Sequence, residues 1–72
     1  MTWNYRVIRK VNKLGEYFGI HEVFYLEDGE NDAVTQDSIA PYGETLGELK
    51  ESYELMKEAF DAPVMDYDDF GG

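Results

Sequence analysis

Seventy-two residues with no cysteine, one histidine and a formal charge of −10 describe a single small domain near the lower limit for a lone hydrophobic core. Disulfide frameworks and thiolate metal sites are excluded, no apolar run approaches the roughly 18 residues of a membrane span, and the acidity disfavours direct nucleic-acid binding by repelling phosphates. With no secretory h-region at the N-terminus, a cytoplasmic protein is expected.

The charge is uneven. Arg6, Arg9, Lys10 and Lys13 fall in residues 1–13 with no acid, whereas residues 14–72 carry sixteen acids against Lys50 and Lys57. Trp3–Val11 alternates, with Trp3, Tyr5, Val7 and Val11 on one parity and Asn4, Arg6 and Lys10 on the other, so it reads as a strand with one buried face. Its cations are expected to pair with neighbouring acids. After the turn residues Asn12–Glu16, the β-branched and aromatic run Tyr17–Glu27 predicts a second strand. Both of its parities are partly apolar, which fits a strand covered on two sides or broken by a bulge. A second subunit is one source of the extra cover, so a homodimer through the second sheet face is an expectation.

Asp28–Gly29 marks the next turn, and the spacing of acids around it does not fit a calcium loop. Ala33–Ala40 is the weakest strand, stopped by Pro41 and suited to a sheet edge. A helix is then predicted over Thr45–Asp61. Thr45 and Glu48 have capping-box spacing, Gly47 costs about 1 kcal/mol relative to Ala, and Pro63 forbids continuation. Leu46, Leu49, Tyr53, Met56 and Phe60 recur at steps of three and four, a stripe expected in the core. Val64–Tyr67 is a further short extended segment, and residues 68–72 read as a flexible acidic tail. The fold class is therefore α+β: one domain over residues 1–67, with a three-stranded antiparallel sheet, joined by a fourth strand if Val64–Tyr67 adds to it, and one amphipathic helix packed on one face.

Four stretches also carry a resemblance. Trp3-Asn4-Tyr5-Arg6-Val7, Ile20 through Tyr25, Ala40 through Leu49 and Pro63 through Tyr67 resemble a group of small bacterial proteins with the pattern WNYRV, IHEVYY, APYGETLEEL and PVLDY, which implies no activity. More remotely, Gly43-Glu44-Thr45-Leu46 with Glu48 looks like the strand-to-helix junction of HicB-like antitoxins. Those proteins place helices on one face of a small sheet and neutralise a basic RNA-cleaving toxin. The chain lacks an evident DNA-binding tail such as many of them carry.

No catalytic, cofactor or metal motif is present. His21 is the only group suited to proton transfer near neutral pH, and it lies inside a strand, so a structural histidine is expected. The function expected is a non-enzymatic inhibitor or interaction module that engages a basic surface on a larger partner, such as a toxin or a nucleic-acid-handling complex. Its contact residues would be Glu44, Glu48, Glu51, Glu54, Glu58, Asp61, Asp66, Asp68 and Asp69, with Tyr25 and Tyr42. The alternatives are a phage-type nucleic-acid mimic that blocks a defence or restriction complex, whose carboxylates imitate phosphates, and a structural protein.

Overall fold

A computed structural model describes residues Thr2–Phe70. Strands β1 (Thr2–Asn12) and β2 (Gly15–Tyr25) form a long antiparallel hairpin, β3 (Asn31–Val34) adds antiparallel to β2, and β4 (Met65–Asp66) adds parallel to β1. The order across the sheet is β3-β2-β1-β4, so the expected fourth strand exists and makes the sheet mixed. Helix α1 (Leu46–Met56) tightens into a 3₁₀ segment over Lys57–Asp61, and a second 3₁₀ turn spans Tyr67–Phe70. The fold class is α+β.

Local chemistry explains the boundaries. The Asn12 carboxamide accepts from Leu14 N–H at the first turn, and the Asp28 carboxylate accepts from Glu30 N–H at the second. The β2–β3 ladder shifts register between Phe24 and Tyr25, the irregularity that the doubly apolar run implied. The expected Ala33–Ala40 strand ends at Val34. Beyond it, Thr35 N–H still reaches the Glu22 carbonyl and Ile39 N–H the Ile20 carbonyl, with Gln36–Ser38 diverted between them. That diversion lies over Gly19, where any Cβ would sit 2.8 Å from Ser38 Cβ. Thr45 caps the helix, its hydroxyl accepting from Glu48 N–H at 3.1 Å. The Glu48 carboxylate returns one residue earlier than a standard box, to Glu44 N–H at 2.9 Å. At the other end Ala62 is extended ahead of Pro63.

Burial follows position along the strands more than parity. In β1 it rises to Val7 and Ile8 and falls toward both ends, so Trp3 and Val11, expected inside with Tyr5 and Val7, are exposed, and Ile8, on the polar parity, is fully buried. The register places Val7 beside Ile20 on one face and Ile8, His21 and Val23 on the other. At the centre of the first face Val7 is buried and Ile20 half-buried, and on the second Ile8, His21 and Val23 are fully buried. The Tyr67–Phe70 turn and the Gln36–Ser38 diversion serve the face of Ile8: Lys10 puts its ammonium 4.5 Å from the Tyr67 ring centroid and donates to the Gln36 carbonyl. On the opposite face Trp3, Val11 and Phe18 stay exposed, so the cover that this chain supplies is that of the Ile8 face. Residues Asp68–Phe70, expected in a flexible tail, form part of it and lie near β1 and β3; Gly71 and Gly72 fall outside the described residues.

The helix corrects a second expectation. Its buried residues are Met56 and Ala59, which meet β1, with Ser52 half-buried beside them. Of the predicted core stripe only Met56 is inside; Leu46 is 82% exposed, Phe60 68%, Tyr53 52% and Leu49 39%. The buried line through Ser52, Met56 and Ala59 is rotated by roughly 60° about the axis from the apolar stripe. In the 3₁₀ segment each residue advances by about 120°, so Ala59 eclipses Met56 and Phe60 swings outward.

Truncation should report this division directly. Ile8→Ala is expected to cost about 2–5 kcal/mol in urea unfolding, whereas Leu46→Ala should stay within about 0.5 kcal/mol. Equal losses at the two positions would place the helix stripe back in the core.

Candidate protein-interaction surface

The N-terminal half of α1 stands clear of the sheet: every residue from Glu44 to Glu51 is exposed. Gly43 lies so close beneath it that a Cβ there would clash with Leu49 N and Glu48, which holds Pro41 and Tyr42 against the helix. Tyr42 N–H donates to the Ser52 hydroxyl at 3.2 Å, fastening the same segment. Pro41, Leu46, Leu49 and Tyr53, with the stem of Lys50, line an open apolar groove of about 510 Å³. Leu55 adds to a neighbouring apolar depression bordered by Lys50, Glu51 and Glu54.

The acids expected to make contact divide into engaged and unengaged groups. Asp66 accepts from Arg9 at 2.6 Å, and Glu16 takes the same guanidinium at 2.7 Å. These hydrogen bonds, Glu16 first and then Asp66, hold Arg9 still further above its ordinary pKa. Glu54 pairs with Lys57 at 3.0 Å and raises its pKa, mainly through the hydrogen bond. Glu48 is spent on the cap. The carboxylates of Glu44, Glu51, Glu58, Asp61, Asp68 and Asp69 are exposed and have no hydrogen-bond or ion-pair partner among the described residues. The structure therefore brings Glu44, Glu51, Glu58 and Asp61 together along the helix. Asp66 belongs to the β1–β4 junction instead.

Of the two tyrosines, Tyr42 is 74% exposed beside the groove. Tyr25 is half-buried, its hydroxyl donating to Asn4 Oδ1 at 2.8 Å and accepting from Arg6 Nη1 at 3.2 Å. It is a structural residue of the hairpin. The strand cations are likewise absorbed: Arg6 donates to the Pro63 carbonyl at 2.7 Å, Arg9 holds two acids, and Lys10 is tied to Gln36 and Tyr67. Reading the stripe as core hid the exposure of Leu46, Leu49 and Tyr53. Their signal lay in Ser52 and Ala59, small residues flanking Met56 at helical spacing, which let a backbone approach the sheet closely.

His21 is fully buried, with its Nδ1 2.9 Å from the Thr35 carbonyl. A donor at Nδ1 satisfies that carbonyl and anchors the start of the diverted segment. No group of three or more metal-ligating side chains occurs among the described residues, and no helix there is long and apolar enough to cross a membrane. No family model, curated protein or solved structure matches the chain.

His21→Ala removes a buried side chain and strands a carbonyl. The expected loss is about 2–4 kcal/mol in denaturant unfolding, with faster amide exchange concentrated in Thr35–Ile39. Unchanged exchange in that segment would dissociate it from the histidine.

Proposed function

We propose that this chain is a non-enzymatic protein-binding module of the inhibitor or antitoxin kind, and that the outer side of α1 is the surface that meets its partner. The observation that carries this reading is the exposed apolar stripe Leu46–Leu49–Tyr53, on a helix whose opposite side carries unpaired carboxylates. Apolar side chains held outward on a helix, with Tyr42 and Pro41 alongside, form a contact of the helix-in-groove type. Burying the stripe supplies affinity. The acids Glu44, Glu51, Glu58 and Asp61 steer the approach of a basic partner.

The same observation orders the two binding readings. A nucleic-acid mimic works by charge and has no need of an apolar stripe, whereas a toxin-like or other basic protein with an apolar recess uses both. The burial of His21 against Thr35 supports a binding role over a catalytic one, because it commits one ring nitrogen to the fold.

The test is capture and identification of the partner from native cells, followed by binding measurements on the purified pair. Leu49→Ser combined with Tyr53→Ser should weaken binding at least tenfold while leaving unfolding free energy within about 1 kcal/mol. Glu51→Lys with Glu58→Lys should slow association and flatten its salt dependence. Binding that ignores the apolar variants, collapses with salt and is displaced by nucleic acid would replace this reading with the mimic.

A further inference from the structure

The outer edge of β1 is incompletely paired. Glu22 and Ile20 send their carbonyls toward Thr35 and Ile39, so the even-numbered residues of β2 use their backbone groups on the β3 side. The odd-numbered residues of β2 face β1, and their register partners are the even-numbered Asn4, Arg6 and Ile8. Trp3 and Tyr5 therefore direct N–H and C=O away from the hairpin. Strand β4 pairs with β1 only at Ile8 and Arg9, and no described backbone hydrogen bond reaches the outer edge at Trp3 or Tyr5. An unpaired edge of this kind is a template for another strand, and here neither a proline nor a lysine blunts it.

We infer that this edge pairs with the same edge of a second copy, in antiparallel register about a two-fold axis at Asn4. That register sets Trp3 opposite the partner's Tyr5 and Tyr5 opposite the partner's Trp3, satisfying the free donors and acceptors of both chains. Trp3 and Tyr5 already touch edge-to-face with ring centroids 5.1 Å apart on one side of the sheet. The two-fold brings the two aromatic pairs together on that side, where cross-strand aromatic contacts stabilise a sheet. Charge selects this occupant. Each chain is at −10, and residues 1–13 contain no acid, so the first half of β1 is where two copies approach with no opposed carboxylates on the pairing strand. Approach through the acidic side of the helix would set Glu51, Glu58 and Asp61 of the two copies against each other. The two hairpins then join into one sheet through β1, and the contact uses none of the α1 residues named above, so this inference does not depend on the function proposed for the helix.

Sedimentation of the full chain and amide exchange, both followed from about 1 to about 500 µM, test it. The expected results are a mass rising from 8.3 kDa to twice that value, protection of the Trp3 and Tyr5 amides increasing roughly tenfold with concentration, and association that holds or tightens as salt is added. Trp3→Pro removes an outward N–H without removing a β1–β2 bond, and should abolish association. Leu49→Ser should leave it intact. A wild-type chain that stays at 8.3 kDa throughout, or whose Trp3 and Tyr5 amides exchange equally fast at every concentration, overturns the inference. So does association that survives Trp3→Pro, or that is lost on Leu49→Ser. Where Trp3→Pro fails to fold, the wild-type exchange data decide.

Discussion

A hairpin of two eleven-residue strands, each about 36 Å long at strand rise, has to be covered by elements much shorter than itself. Everything else follows from that mismatch. A 3₁₀ segment of five residues, another of four and a diverted stretch of chain cover the middle of the sheet. There Val7, Ile8, His21 and Val23 become the core, joined by Met56 and Ala59. The ends of the strands extend past this cover, and with them Trp3, Val11 and Phe18. A core this small leaves little stabilisation from apolar burial, which increases the share carried by polar ties: His21 to Thr35, Arg6 to Pro63, Arg9 to Glu16 and Asp66. The exposed ion pairs contribute little individually, so the buried histidine tie is the more consequential of these.

The helix is docked by its last turns, and the manner of docking decides what its first turns are free to do. Ala59 admits β1 closely, and the 3₁₀ twist brings it over Met56. Tyr42 and Gly43 brace the opposite end without burying it. The stripe that would fill the core of a helix lying flat on a sheet is therefore left at the surface, and the opposite side of the helix carries carboxylates with no cation partner among the described residues. The same small core and the same charge segregation leave the acid-free start of β1 as a second accessible edge.

Much of the architecture was legible because it is written in local rules. Alternation marked β1, β-branched and aromatic content marked β2, Asp28–Gly29 marked the turn, and Thr45 with Glu48 marked the helix start. The bulge was one of two readings of the apolar parities of Tyr17–Glu27, the other being cover on both sides, and the register shift falls at Phe24/Tyr25. The candidate surface was half legible. Glu44, Glu51, Glu58 and Asp61 were visible as a helix face, yet Glu48, Glu54 and Asp66 turned out to be engaged, and Tyr25 belongs to the hairpin. The Glu48 and Glu54 contacts are local, at helical spacing, whereas Asp66 with Arg9 and Tyr25 with Asn4 join residues far apart in the chain, which leaves no periodic trace.

By itself the sequence determined the strands, the cap, the single helix and the segregation of positive from negative charge, because each depends on side-chain spacing within a few residues. Tertiary structure alone decided which side of each element went inside. Leu46 and Tyr53 are as apolar as Met56 and share its stripe, but the direction from which β1 approaches the helix is set by the size of Ala59 and the 3₁₀ twist beyond Met56. Those act between elements, so periodicity within one element cannot report them.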